Sequence, residues 1–100
     1  VTPTAKLEAV FARSARIVAR RVGRDRVLVP LVARGRDVRA LYSLNPVAAF
    51  IWDQMNGRRR GRAIVQALVT RFDVEGARAA RDYRALVGEL LAIGAIQPVP

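Results

Sequence analysis

The dipeptide Asn45-Pro46 divides this chain into two halves of different pattern, and that division constrains the fold more than any other feature. Before it, apolar residues come in short β-branched runs separated by polar turns. After it, they recur at intervals of three and four. Asn is a preferred helix N-cap because its side chain accepts a hydrogen bond from an otherwise orphaned amide. Pro suits the first helical position, where its missing N–H costs nothing.

The first half reads as a three-stranded meander. Residues 16–22 and 26–32 are β-branched runs joined by Gly23-Arg24-Asp25, a hairpin signal. Pro30 cannot donate to a ladder, so a bulge or an outward-facing bond is expected there. A polar turn around Gly35 leads to a third strand over 38–44. Residues 1–15 are weakly patterned: either an ordered arm, or a short helix over 5–13 capped by Thr4 with Leu7, Val10 and Phe11 on one side.

The second half reads as three helices. The first, 46–55, carries Val47, Phe50, Ile51 and Met55, with Trp52 beside them as a core residue, and Asn56-Gly57 stops it. Arg58 to Gly61 is expected to be a basic loop, either a solvated turn or a contact with a partner enzyme or an anion. The second helix, about 62–72, spaces Ile64, Val65, Leu68, Val69 and Phe72 along one face. The third, about 77–93, places Ala79, Tyr83, Leu86, Leu90 and Ile93 in a core stripe, and Gly94 caps it before an extended tail over 96–100. The order βββααα predicts an α+β fold of winged helix-turn-helix-like architecture, a three-stranded antiparallel β-meander followed by three α-helices.

The chain contains neither Cys nor His, which removes disulfides, thiol nucleophiles, imidazole bases and the best zinc ligands together. The eight acids are scattered without a spacing that suggests an acid–base pair. No glycine-rich phosphate loop precedes a Lys-Ser/Thr. The expected domain therefore binds and does not catalyse, with no catalytic residue, no metal and no cofactor. No apolar run is long enough to cross a bilayer, so no membrane partner is expected. The start lacks the order of a signal peptide, and a cytoplasmic location is expected. The net charge of +10 points to an acidic partner. However, every basic residue except Lys6 is arginine in a chain rich in Ala, Val and Gly, a composition typical of GC-rich genomes. Where the arginines fall therefore matters more than their number.

The segment from Tyr42 through Leu44-Asn45 and Ile51-Trp52 to Gly57 resembles the "LN…IW…G" core of a known family. Gly57 through Phe72-Asp73-Val74 resembles its continuation, and Asp82, Leu86, Leu90 and Gly94-Ala95-Ile96 resemble its ending. In this order and spacing, residues 16–97 are similar to PqqD-like proteins, the peptide chaperones whose fold is also called the RiPP recognition element. Two departures are Arg60-Gly61 where the family often has a Thr cap, which leaves the second helix poorly capped, and Leu86 where it often has Phe.

The resemblance implies binding of the leader of a ribosomally made precursor peptide and its presentation to a modifying enzyme, often a radical SAM protein. The leader adds as a strand to the third strand and lies against the third helix. The implied peptide-binding residues are Val38, Arg39, Ala40, Leu41 and Tyr42 on the strand. On the helix they are Arg78, Arg81, Ala85, Gly88 and Ala92, of which Arg81, Ala85, Gly88 and Ala92 line one face with three very small side chains. Tyr42 shares strand parity with Leu44 and is expected to face inward, with its hydroxyl able to reach the groove. Asp82 is expected to pair with Arg78 or a backbone amide. A rival reading is a winged-helix DNA-binding protein, supported by Arg78, Arg81 and Arg84. No Asn, Gln or Lys accompanies those arginines to read bases, and Asp73, Glu75 and Asp82 lie close by, so nucleic acid is not the expected partner. Self-association as a homodimer through an edge strand is compatible with peptide binding.

Overall fold

A computed structural model describes residues 7–30 and 42–100. Its strands are β1 (Val10–Arg13), β2 (Ile17–Val22), β3 (Asp25–Pro30), β4 (Tyr42–Leu44), β5 (Asn56–Arg60) and β6 (Ile96–Pro98), and its helices are α1 (Pro46–Gln54), α2 (Gly61–Phe72) and α3 (Gly76–Ala92). They form two three-stranded antiparallel sheets, ordered β2-β3-β4 and β5-β1-β6.

The first sheet is the expected meander. Val22 faces Asp25 across a two-residue turn, and Gly23 takes φ 62° there, the left-handed region that tight hairpin turns require. The β2–β3 ladder then runs one-to-one as far as Ile17 and Pro30. Of the two alternatives expected at Pro30, the bulge does not occur in this ladder. Pro30 occupies the last pair of this ladder among the described residues, and residues 31–32 of the expected strand lie outside them. On the other side of β3, Arg26, Val27 and Leu28 face Leu44, Ser43 and Tyr42.

The second sheet departs from two expectations and gives the expected extended tail a partner strand. Of the two alternatives for the N-terminal segment, the helix does not run through to residue 13: Leu7 and Glu8 are helical, Val10–Arg13 is a strand, and residues 5 and 6 lie outside the described residues. The basic loop is strand β5, and the tail becomes strand β6. Local spacing misled because Leu7, Val10 and Phe11 fit a helical face, while the partners that make Val10–Arg13 a strand lie some fifty and eighty-five residues away. Arg13 faces Ile96, and Val10 faces Arg60. The register shifts between Val10 and Ala12, and Gly57 takes φ 82° at that irregularity, with its added Cβ only 3.5 Å from the Ala12 Cβ.

The helices follow their local signals. Asn45 caps α1, its side chain accepting from the Ala48 amide at 2.8 Å, with Pro46 in the first turn. By contrast α2 begins at Arg60 without a side-chain cap, as the missing Thr implied, and ends on Asp73 in the left-handed conformation. On α3 the buried residues are Ala79, Tyr83, Leu86, Val87 and Leu90. Ile93, expected in that stripe, is 46% exposed, because it caps α3 at the point where the chain turns away through Gly94 at φ 72°.

The core joins both sheets to all three helices: Phe11 and Ile96 from one sheet, Leu28 and Leu44 from the other, with Trp52, Ile64, Leu68 and Tyr83 between them. Trp52 is a core residue, as its apolar neighbours required. Among the described residues, no helix is long and apolar enough to cross a membrane.

Candidate functional site

Strand β4 lies at the end of its sheet, with β3 on one side and no strand on the other among the described residues. Leu44 is fully buried and Ser43 exposed, so alternation turns Tyr42 inward with Leu44. Its ring packs against the core, and its hydroxyl donates to Glu89 Oε1 on α3. This hydrogen bond ties the edge strand to the third helix. The Tyr42 hydroxyl is pushed up to about 12, chiefly by burial, then by its bond to the Glu89 carboxylate and that group's negative charge. It therefore stays neutral, a donor, across the physiological range.

Glu89 identifies which side of α3 looks toward β4. At about 100° per residue, Arg78, Asp82 and Ala85 lie within about 40° of Glu89 around the helix, Ala92 about 60° away, and Arg81 and Gly88 about 80–100° away. Arg81, Ala85 and Ala92 are exposed and Gly88 is half-buried. Of the sequence-derived helix residues, Arg78 and Ala85 thus lie nearest the β4 side, and Arg81, Gly88 and Ala92 continue round the helix. Asp82 pairs with Arg78 at 3.9 Å, one turn apart on the exposed surface. Val38, Arg39, Ala40 and Leu41 lie outside the described residues. Glu89 did not figure among the expected site residues. No local pattern marks it, since its partner Tyr42 is 47 positions away.

The groove side of α3 therefore carries alternating charge: Arg78, Asp82 and Glu89, with Ala85 leaving space between them. A surface of that kind can order an extended chain through polar contacts while the strand edge offers backbone hydrogen bonds. Among the described residues, no group of acids could hold a metal ion. A separate cleft of about 550 Å³ opens between the β2–β3 turn and the α1 and α2 helices. Its floor includes Phe50 and Phe72, packed edge to face at 5.5 Å. Asp53 lies at its wall, gripped by Arg26 through two bonds of 2.6 and 3.0 Å.

The family model described as coenzyme PQQ synthesis protein D (PqqD) matches residues 28–96, from the middle of β3 to the start of β6. The chain belongs to the PqqD family. The matched span contains β4, all three helices and both partners of the Tyr42–Glu89 bond. The solved structure of TbiB1 in complex with the TbiA(beta) leader peptide shares the fold with this PqqD-family chain, at a TM-score of 0.70 and 21% identity. The likeness covers 86% of this chain and 94% of that one. A search of curated proteins finds no match to the sequence. Strand β1 lies outside the family match, yet it is the central strand of the second sheet and closes the core of this PqqD-family chain with Phe11.

Proposed function

We propose that this domain binds the leader of a ribosomally synthesised precursor peptide and presents it to a modifying enzyme, performing no chemistry itself. The leader adds as a strand along the chain segment that ends in β4 and lies against α3. Val38, Arg39, Ala40, Leu41 and Tyr42 supply the strand edge. Arg78, Arg81, Ala85, Gly88 and Ala92 supply the helix side. The observation that carries this reading is the Tyr42–Glu89 bond, which joins β4, an edge strand among the described residues, to the charged side of α3. Family membership supports it, as does the leader peptide bound by TbiB1, a protein of the same fold. The enzyme it serves is of a class that modifies precursor peptides, such as a radical SAM protein, and the pair works in the cytoplasm.

Backbone NMR titration with a leader peptide from a neighbouring precursor reading frame tests this. Shifts at residues 38–44 and along 78–92 are expected. Shifts centred on 58–62, or binding of a random DNA duplex in preference to any leader at physiological salt, overturn it.

A further inference from the structure

The arginine run Arg58-Arg59-Arg60 is a second unpaired strand edge, on the other sheet from the groove. β5 ends the order β5-β1-β6, and among the described residues nothing pairs with its outer side. Arg58, Arg59, Arg60 and Arg62 are all exposed. With Ala63 and Gln66 they line a depression of about 550 Å³ that contains no acidic residue in its wall.

One carboxylate already sits at the margin of this surface. Glu8 accepts from Arg60 Nη1 at 3.3 Å and from Arg62 Nε at 3.1 Å, and also from Arg62 Nη2. These guanidinium bonds, that of Arg62 foremost, hold the Glu8 carboxyl below its ordinary range. Arg58 and Arg59 form no ion pair among the described residues. The chain itself thus shows how half of the cluster grips a carboxylate, and leaves the other half open.

The backbone adds direction. Successive amides of a strand point to opposite edges. Gly61 donates to the Ala9 carbonyl at 3.1 Å, toward β1, which turns the Arg60 amide outward. The Arg58 amide is satisfied locally by Asn56 Oδ1 at 2.9 Å. Arginines on an edge strand also deter unwanted pairing between copies. Deterrence, however, needs no seat shaped for carboxylates.

We propose that the outer edge of β5, with Arg58 and Arg59, docks an acidic extended polypeptide segment of a partner protein, at a site separate from the β4–α3 groove. Guanidinium pairs fix the acidic side chains, and the outward Arg60 amide bonds to the segment's backbone. An extended segment is favoured over nucleic acid because the group this cluster already holds, the chain's own Glu8, is a carboxylate, and because a phosphodiester chain lacks the amide groups that pair along a strand edge.

The test uses the full chain and a synthetic peptide of about six residues alternating Glu and Val, long enough to run the length of β5. Its controls are the same peptide with Gln for Glu, and a random DNA duplex. Amide shifts are expected at 57–60 with the acidic peptide, and none at Tyr42–Leu44. The double variant Arg58→Glu, Arg59→Glu should weaken binding by about fivefold or more. Its circular dichroism should match the parent, since both side chains are exposed. Equal binding of the Gln peptide, tighter binding of the duplex at physiological salt, shifts at the groove, or undiminished binding by the double variant each overturns the proposal. Because the readouts lie on different strands, loss of this site leaves the leader groove independently measurable.

Discussion

The two sheets each have three strands among the described residues and draw them from the chain in opposite ways. In β2-β3-β4 the central hairpin joins neighbours in sequence across a two-residue turn. In β5-β1-β6 the three strands come from the beginning, the middle and the end of the described chain. The first carries its instructions locally, in a glycine turn between β-branched runs. The second depends on the tertiary structure, which brings distant segments side by side. Its β5 consists entirely of Asn, Gly and Arg, of which Asn and Gly are depleted in strands, so pairing with β1 overrides composition.

The comparison is broken most directly through the core. Phe11 is 4% exposed and Leu28 is 2% exposed, one from each sheet. Phe11→Ala and Leu28→Ala are both expected to cost about 3–5 kcal/mol in denaturant unfolding. A Phe11→Ala cost below about 1 kcal/mol, with Leu28→Ala at full cost, would make the second sheet a peripheral addition.

The turns come next. Gly23→Ala and Gly57→Ala each force a side chain into the left-handed region, and each should cost about 1–2 kcal/mol. Gly57 serves pairing between remote strands, so its variant should also raise amide exchange across Val10–Arg13, whereas Gly23→Ala should leave β1 protected. The helix caps give a further contrast. Asn45→Ala should cost about 1 kcal/mol by removing the bond to Ala48. Arg60 makes no such cap, and its substitution should act through Glu8 alone.

The link between the first sheet and α3 can be read by titration. The chain has two tyrosines, Tyr42 and Tyr83, and both hydroxyls are pushed up to about 12. Burial raises both, and Tyr42 adds its bond to Glu89. A folded value above the ordinary 10.0 means the neutral phenol is favoured in the folded state. The associated stability is complete below pH 10 and is lost as pH rises through about 12. Phenolate absorbance should therefore be nearly absent at pH 10 in the folded protein. Glu89→Gln should move the Tyr42 titration downward, and leave Tyr83 unmoved. The smallest effect is expected at Tyr83→Phe. The Tyr83 hydroxyl is buried and finds no hydrogen-bond partner among the described residues, so its removal should change stability by no more than about 1 kcal/mol, in the stabilising direction.

The parts of the site that were legible beforehand are those encoded by short-range pattern. Strand parity placed Tyr42 inward, and of the two partners expected for Asp82, Arg78 or a backbone amide, the structure shows Arg78. What was not legible is Glu89, which a helical wheel puts among solvent-facing residues. Only the approach of β4 to one side of α3 gives it a partner. That same approach orders the helix residues by angle from the side facing β4, with Arg78 and Ala85 near it and Gly88 turned farther round. A wheel alone has no reference direction from which to rank them.

By itself the sequence determined the boundary at Asn45-Pro46, the β2–β3 hairpin, the three helices and most of their buried faces. These depend on caps, turn residues and periodicity, which act within a few positions of chain. Tertiary structure alone decided that Val10–Arg13, Asn56–Arg60 and Ile96–Pro98 are strands of one sheet, that Ile93 is exposed while Val87 is buried, and that Tyr42 meets Glu89. Each of these depends on hydrogen bonds or burial supplied by residues far away in the chain. No local signal encodes such a partner, because only the packing of the whole chain brings it near.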